Sequence, residues 1–539
     1  MSKAEAGAST PPKSARSGMI RSSMVYSSLT LVSRIMGFVR DLAVTYYMGA
    51  SATFVADAYT TALAFPNLFR RIFAEGAFAA AFVPAYSRSL EKDGEEVADV
   101  LAADAMAALL AMTLALTVLA ELAMPWIIAL YSPGFAATPG KVKLTIALTM
   151  ITMPYLPCMA IYAHLAGVLN ARNRFVLSAG APILLNFWTL VAVLPTHSPH
   201  AAAVSASWGV LVAGVTQAGL LWWGVRKSGA NVDWRLPRFT PEIRQLILLA
   251  LPGAFAASAQ QVNVFVSQFL VSHVNGARTW LSVCDRLYQL PLGLVGVSIG
   301  VALLPRLSRA VHAGDHEGSR AAMDQAITFS MALTLPAAAA LTAMPFFLID
   351  GLYTRGEFHS FDASQTALAL QQYGWGVPAF VLASLLARAF FARQDTRTPM
   401  YFGLVSVAVN VVAGVILYRL VGVAGIAAAT SLASWTNVAL SLAVLGRRGA
   451  YWPSGAAWSR LARIVLASMI LGLMLAFAAH ERPRIEHLFG HFHIGRSVGA
   501  KEVAVLGVTM LAALVYPVVL LGVGGISRAE VLGVLRRRR

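Results

Sequence analysis

About fourteen long apolar runs constrain this chain more than any other feature of its sequence. Each extends over roughly 18 to 30 residues, long enough for an α-helix to cross the hydrocarbon core of a bilayer. The chain has 539 residues, 58% hydrophobic and only 12% charged, whereas soluble domains carry about 25% charged residues. This composition excludes a soluble enzyme, a disordered chain and a secreted disulfide scaffold. We therefore predict an all-α polytopic membrane protein with about 14 transmembrane helices.

The distribution of basic residues predicts the orientation of these helices. The formal net charge is +17. If both termini are cytoplasmic, 27 Lys and Arg residues lie in tails and loops on that side and nine on the other. Cytoplasmic loops carry the excess of Lys and Arg in membrane proteins, so we predict that both the N- and the C-terminus are cytoplasmic. Most of these charges then lie where they meet anionic lipid, and we expect no nucleic acid as a partner.

Two sequence landmarks recur at the same spacing. Pro84-x-x-Ser87-Arg88 recurs as Pro305-x-x-Ser308-Arg309, and Ala171-Arg172-Asn173 recurs as Ala392-Arg393-Gln394. The spacing from position 84 to 305 equals that from 171 to 392, and we call it the repeat offset. A shared offset favours two similar six-helix lobes that run in the same direction, as in transporters built from repeats. Chance recurrence of common loop residues is the alternative explanation.

The repeat and the apolar runs together predict the division of the chain. We predict a disordered cytoplasmic tail at 1–20, an N-terminal six-helix lobe at 21–240 and a C-terminal six-helix lobe at 241–450. Helices 13 and 14 follow at 451–525, and a basic cytoplasmic tail at 526–539 ends the chain.

Charged side chains inside the apolar runs are the strongest functional signal. Each costs about 2.5–3.5 kcal/mol at the centre of a helix on insertion scales, so such residues usually face a wet cavity or each other. The six basic ones are all arginines, whose guanidinium groups grip phosphate oxygens with two parallel hydrogen bonds. They are Arg34, Arg40, Arg70, Arg71, Arg286 and Arg388, and the acids at comparable positions are Asp41, Asp57, Glu75, Asp285 and Glu121.

These charges have a structural interpretation as well as a functional one. Arg34 and Asp41 share a helix face, and Arg71 and Glu75 are spaced to pair directly. The arginines could therefore reach the membrane interface or lock helices together through ion pairs. If Arg34, Arg40, Arg70 and Arg286 instead converge, they form a cationic site for a phosphate-bearing substrate.

Other candidates carry less chemistry. Cys158 and Cys284 lie in apolar stretches and are expected to be packing residues. Four histidines, His480, His487, His491 and His493, crowd a polar loop that we interpret as solvated rather than as a metal site. No P-loop, nucleophile elbow or H-E-x-x-H motif is present. We therefore expect no enzyme activity, no metal and no cofactor.

Several of these residues belong to longer motifs that resemble the MurJ (MviN) family, lipid II flippases of the MOP exporter superfamily. The matching segments are Ser33-Arg34-x-x-Gly37-Phe38-x-Arg40-Asp41, Asp57-Ala58, Pro66-Asn67-Leu68-x-Arg70-Arg71-Ile72-Phe73-Ala74-Glu75-Gly76-Ala77-Phe78, Ala81-Phe82-Val83-Pro84, Pro133-Gly134-Phe135, Asp285-Arg286-Leu287 and Arg393-Gln394-Asp395-Thr396-x-Thr398-Pro399. They run from about residue 20 to 450, and the second of the long motifs is highly specific.

The resemblance implies two six-helix lobes around a cationic cavity, with the last two helices lining a groove for a lipid tail. The implied substrate is the undecaprenyl-pyrophosphate-linked disaccharide-pentapeptide (lipid II), moved to the periplasmic leaflet of the bacterial inner membrane for cell-wall synthesis. It implies further that the cavity arginines Arg34, Arg40, Arg70 and Arg286 receive the pyrophosphate, and that polar residues act in gating or transport. The polar residues are Ser33, Asp41, Asp57, Asn67, Glu75 and Asp285. We expect a monomer that meets membrane lipids and the cell-wall synthesis machinery.

Three other functions are compatible with a polytopic chain. A multidrug antiporter or polysaccharide-lipid exporter of the same superfamily is the first, although a cation-drug antiporter should present acids and aromatic residues instead of arginines. The second is a non-transporting scaffold for cell-wall enzymes, which leaves the buried arginines without a purpose. A membrane-embedded transferase is the third, and it requires acidic metal-binding motifs that are not found in the loops.

Overall fold

The computed structural model describes residues 13–69, 78–238, 240–490 and 499–525. Within its helices, the side chains of 13–27, 69, 78–80, 252–260, 294–302 and 304–306 are outside the description. All regular secondary structure in the described ranges is helical, so the prediction of an all-α membrane protein is confirmed.

The α-helices follow one another with short connections. The helices of the first half are α1 Lys13–Met48, α2 Val55–Phe69, α3 Phe78–Lys92, α4 Glu95–Leu122, α5 Met124–Tyr131, α6 Lys141–Thr152, α7 Tyr155–Ala171, α8 Phe175–Gly180, α9 Pro182–Val193 and α10 Pro199–Lys227. Those of the second half are α11 Pro241–Val271, α12 Ala277–His312, α13 His316–Ala343, α14 Pro345–Tyr353, α15 Ser360–Gly374, α16 Val377–Phe391, α17 Arg397–Val421 and α18 Val423–Arg447. The chain continues with α19 Gly455–His480, α20 Arg482–Leu488 and α21 Ala500–Gly522.

Ten helical segments in the described residues are long and apolar enough to cross a membrane. They are Glu95–Leu122, Lys141–Ala171, Phe175–Val193, Pro199–Lys227, His316–Ala343, Ser360–Phe391, Arg397–Val421, Val423–Arg447, Gly455–His480 and Ala500–Gly522. Helices α1 and α12 are longer than all of these, at 36 residues each, but they carry several of the charged positions singled out above. A multi-span membrane protein is therefore confirmed at ten candidate spans, against the fourteen predicted.

Helix α1 extends further toward the N-terminus than the sequence indicated. It begins at Lys13, inside the segment 1–20 assigned to a disordered tail. Once a helix has formed, each added residue contributes a hydrogen bond at little further cost, so the apolar part of α1 can propagate helix into the polar residues before it. Residues 1–12 and the basic tail from 526 onward lie outside the described ranges.

The helix boundaries recur at the repeat offset found in the sequence. Helix α4 begins at Glu95 and ends at Leu122, and α13 begins at His316 and ends at Ala343, so both boundaries differ by that offset. The repeated segments 171–173 and 392–394 also share a backbone conformation. Asn173 and its counterpart Gln394 are both left-handed, with φ of 59° and 61°. Few non-glycine residues adopt this conformation, so its recurrence supports a structural repeat.

Contacts group the chain into two compact units. One comprises Met1–Tyr47, Thr61–Ile128 and Lys143–Ser258, and the other Met48–Thr60, Ala129–Val142 and Ala259–Arg539. The core of the first unit contains Phe82, Met106 and Leu169, and that of the second contains Leu307, Phe390 and Leu471. The lobe boundaries at 240 and 450 remain predictions.

Within the second unit, ion pairs hold the last helices to the body of the unit. Asp350 of α14 pairs with Arg482 at the start of α20 and, at 3.1 Å, with Lys501 of α21. Arg355 pairs with Glu502 of α21 at 2.9 Å. These contacts fix the starts of α20 and α21, where the guanidinium of Arg482 also lies over the rings of two phenylalanines, Phe346 and Phe347.

Candidate functional site

The N-terminal part of the predicted site lies on α1, in the first unit. The backbone carbonyl of Ser33 accepts a hydrogen bond of 2.9 Å from Nδ2 of Asn186 on α9. One turn later, a Cβ added at Gly37 would make ordinary van der Waals contact with the same amide, at 3.5 Å. The hydrogen bond from the buried Asn186 amide therefore links α1 to α9.

This packing presents two arginines with different environments. Arg34 is exposed, and its guanidinium neither donates a hydrogen bond to nor forms an ion pair with any described residue. Arg40 is mostly buried and donates to Oδ1 of its neighbour Asp41, from Nε at 3.0 Å and from Nη2 at 2.7 Å. Asp41 thus pairs with its neighbour Arg40 and not with Arg34, although Arg34 shares its helix face. The Arg40 side chain is long enough to fold onto the carboxylate of the residue that follows it.

The second motif is described only in part. Asn67 donates from Nδ2 to the carbonyl of Leu63, one turn earlier in α2, at 2.9 Å. This bond is local to the helix and satisfies the amide without a distant partner. The remaining predicted residues of the motif, Arg70, Arg71 and Glu75, lie outside the described residues.

The C-terminal part of the predicted site lies on α12, in the second unit. Asp285 and Arg286 are half-buried, and each has at least one polar or electrostatic contact. Tyr288, the next residue but one, packs against Tyr373 and Phe380, with ring centroids 4.8 and 5.4 Å apart. Aromatic packing of this kind fixes the helix that carries the charged pair.

Arg388 is the other described arginine of the apolar runs in this unit. It lies in the last turn of α16 and is half-buried. Its Nη1 atom is buried and donates to no acceptor among the described residues. This buried donor is therefore left unsatisfied by the part of the chain that the structure describes.

Asp57, by contrast, is part of a fully satisfied buried network in the second unit. Its Oδ2 pairs with Nζ of Lys141 at 2.9 Å, and neither side chain is exposed. The same oxygen accepts from the backbone N–H of Gly276 at 2.7 Å. Its Oδ1 accepts from the N–H and the hydroxyl of Thr279, at 3.0 and 2.8 Å. Lys141 also donates to Oδ1 of Asn275 at 2.9 Å, so the charges of the pair are balanced and extensively hydrogen-bonded.

A second buried carboxylate has a matching arrangement. Asp362 accepts from the backbone N–H of Ser51 at 3.0 Å and from Nε1 of Trp280 at 3.0 Å. Lys141 and Asp362 are separated by the repeat offset and lie in the first turns of α6 and α15. Asp57 therefore holds the turn before α12, and Asp362 holds the loop between α1 and α2. Each carboxylate binds backbone from the other half of the sequence.

This network was the main feature that the sequence analysis missed. The sequence places Lys141 in a loop and Asp57 among the charges of the apolar runs, whereas the structure pairs these two residues. The available signal was the pair of opposite charges at the repeat-related positions 141 and 362. Ion pairs between distant segments cannot be derived from spacing alone, because they depend on how the helices pack.

The remaining candidates form no metal centre in the described residues. No group of three or more His, Cys, Asp or Glu side chains that could hold a metal occurs in this part of the chain. His480 and His487 are exposed, and His491 and His493 lie outside the described residues. Cys158 and Cys284 are free thiols, half-buried and buried respectively.

The fold matches solved structures of membrane transporters. A structure titled "Lipid II flippase MurJ, inward closed conformation" superposes with a TM-score of 0.74 at 25% identity, covering 92% of this chain and 98% of that one. An inward-facing multidrug resistance MATE transporter of the MOP superfamily gives a TM-score of 0.65 at 13% identity, over 79% and 98%. The chain thus has the fold that a MurJ flippase shares with a MATE transporter of the MOP superfamily.

Sequence comparisons give the family. The family model for the lipid II flippase MurJ matches residues 44–489. A probable lipid II flippase MurJ of Rhizobium meliloti is 37% identical over 94% of both chains, and a lipid II flippase MurJ of Burkholderia cenocepacia is 32% identical over 85% of this chain and 89% of its own. The chain belongs to the MurJ family of lipid II flippases. The family prediction is confirmed, and the protein is a transporter.

Proposed function

We propose that this protein moves lipid II from the cytoplasmic to the periplasmic leaflet of the bacterial inner membrane by alternating access. Membership of the flippase family supplies the substrate class. The observation that carries the mechanism is the environment of Arg34, an exposed guanidinium on the apolar helix α1 without a partner in the described residues. A permanent charge on such a helix is costly unless a polar group meets it during function.

The substrate carries a group of the required chemistry. A pyrophosphate offers several anionic oxygens, and arginine binds such oxygens through two parallel, charge-assisted hydrogen bonds. We assign this role to Arg34, Arg40, Arg70 and Arg286. Asp41, which holds Arg40 in place, would then release the guanidinium when the diphosphate arrives. Ser33, Asn67, Glu75 and Asp285 are the other polar residues proposed to act in transport.

The movement requires two bodies of similar construction. We propose fourteen spans: the ten candidate segments together with α1, α2 with α3, α11 and α12. The helix boundaries that recur at the repeat offset support two six-helix lobes followed by α19 and α21, which would line the groove for the polyprenyl tail. Both termini would be cytoplasmic.

The buried network around Asp57 could hold the transporter closed on its periplasmic side. It joins Lys141, Asn275 and Thr279, which come from segments that the charge distribution assigns to the periplasmic side. We propose that this network, together with the contacts of Asp362, keeps the periplasmic side closed while the substrate is loaded. Opening would require these buried bonds to be exchanged for bonds to water.

A depletion strain that lacks its own lipid II flippase tests the assignment. We expect the wild-type gene to restore growth and lipid II translocation, and Arg34→Ala to abolish both while the protein still inserts. Arg419→Ala, which removes an exposed arginine from the end of α17, is the matched control and should support growth. Normal translocation by Arg34→Ala would refute the role of this arginine. Failure of the wild-type chain to translocate lipid II, with growth restored, would favour a scaffold.

A further inference from the structure

We propose that the first unit contains a specific site for a zwitterionic aminophospholipid, a lipid whose headgroup pairs a primary ammonium with a phosphate. The site is a cavity of about 470 Å³ between α3, α4 and the start of α11. All its lining residues belong to this unit, and none is among the residues assigned to lipid II. Its volume falls in the range of small-molecule sites, about 300–1,000 Å³.

The first requirement is a hydrogen-bond donor with positive charge. Asp104 of α4 lines the cavity and is only 9% exposed. Its Oδ1 atom is buried and receives no hydrogen bond from any described residue. The Nη1 atom of Arg235 forms an ion pair with this oxygen at 3.9 Å, a distance too long for a hydrogen bond. A buried carboxylate oxygen that receives no hydrogen bond is costly, so a ligand ammonium that reaches Asp104 would add the hydrogen bond that Arg235 does not make.

The second requirement is an anion within the same ligand. Arg88 and Lys92, at the end of α3, line the cavity and offer N–H donors that bind phosphate. Two further acids, Asp93 and Glu242, also line it. This mixture of charges would repel a purely anionic headgroup from one side. A zwitterion satisfies both ends.

The third feature indicates a lipid rather than a soluble molecule. Val97, Val100 and Leu249 line the cavity and are 52%, 40% and 57% exposed, which gives it an apolar rim. Val97 and Val100 lie on α4, a candidate membrane span that begins at Glu95. Asp104 is nine residues further on, or about 13 Å at the rise of an α-helix. The cavity therefore opens beside exposed apolar side chains, against which the acyl chains of a bound lipid can lie.

Native mass spectrometry of the delipidated full-length protein tests the proposal, because its readout is lipid binding and not transport. The probes are phosphatidylethanolamine, phosphatidylcholine of the same acyl chains, phosphatidylglycerol and soluble glycerophosphoethanolamine. We expect one phosphatidylethanolamine to be retained more tightly than the other three, because only it combines a primary ammonium, a phosphate and acyl chains. Asp104→Asn should weaken its binding about tenfold or more, as expected for the loss of a hydrogen bond to a charged group.

Two further variants separate the site from general effects of charge and folding. Glu317→Gln removes an exposed acid at the start of α13 and should leave binding unchanged. Val100→Trp narrows the cavity without changing a charge, should also abolish specific binding, and carries the test if Asp104→Asn fails to fold. Equal binding of phosphatidylcholine, preference for phosphatidylglycerol, equal affinity for the soluble headgroup, or full binding by folded Asp104→Asn would each overturn the proposal.

Discussion

At the scale of single residues, the charged side chains of the helices fall into two classes that the sequence alone does not distinguish. Asp57 and Lys141 are fully buried, paired and hydrogen-bonded by surrounding donors and acceptors. Arg34 is exposed and has no partner among the described residues. A buried pair costs its desolvation once, at folding, and is thereafter structural. An unsatisfied guanidinium keeps its capacity to bind an incoming anion.

The first class leads to a prediction about stability. We expect Asp57→Asn to lower the melting temperature of the detergent-solubilised protein strongly, because Lys141 stays buried without a counterion, and breaking such a pair costs about 3–5 kcal/mol. The double variant Asp57→Asn with Lys141→Met should lose less stability than the sum of the two single variants, since no lone charge is left. Strict additivity of the three measurements would mean that the two side chains do not interact.

At the scale of helices, apolar length predicted most of the elements, because a helix is the simplest structure that satisfies the backbone within a bilayer. Charge patterns predicted less. The bond between Asn186 and Ser33 and the pair between Lys141 and Asp57 join segments far apart in sequence, and no periodicity along one helix encodes them. The motif Arg393-Gln394-Asp395 resembles the family in sequence, but only its contacts in the structure show what Asp395 stabilises.

Asp395 fixes the beginning of α17. Asp395 accepts from the N–H and the hydroxyl of Thr398, at 3.0 and 2.6 Å, and from Arg448 beyond the end of α18 at 2.7 Å. The hydrogen bonds from Thr398, followed by that from Arg448, lower the pKa of Asp395 to about 2. A carboxyl with a lowered pKa stabilises the folded state fully above its unfolded pKa, near 3.9, and this contribution is lost as the pH falls toward 2.

We therefore expect Asp395→Asn to destabilise the hairpin of α17 and α18 by about 1 kcal/mol at pH 7, the magnitude of a partly exposed charged hydrogen bond. The melting-temperature difference between wild type and variant should be constant from pH 7 to 5 and narrow as the pH falls from 4 to 3. Asp233→Asn, which breaks an exposed pair with Arg226, is the control and should change little. A difference that persists unchanged at pH 3 would contradict this assignment.

At the scale of the whole molecule, orientation is the property on which the proposed direction of transport depends. The distribution of Lys and Arg predicts cytoplasmic termini, and the same count assigns every loop to a side. The loop before α13 would be cytoplasmic and the loop before α15 periplasmic. The periplasmic assignment includes Lys141, which the structure shows to be buried in an ion pair. Without Lys141, Lys and Arg are still in excess on the predicted cytoplasmic side, so the predicted orientation does not depend on that residue.

Single cysteines in the variant Cys158→Ala with Cys284→Ala test this orientation. Ser360→Cys and His316→Cys introduce thiols at exposed positions, at the starts of α15 and α13. In intact spheroplasts, a membrane-impermeant maleimide should label Ser360→Cys and spare His316→Cys, and permeabilisation should make both reactive. The cysteine-free parent should remain unlabelled throughout. Because cytoplasmic loops retain Lys and Arg during insertion, the reverse pattern would require the loops with the greater positive charge to have crossed the membrane. The Asp57 network would then lie on the cytoplasmic side, and its proposed role in closing the periplasmic side would be wrong.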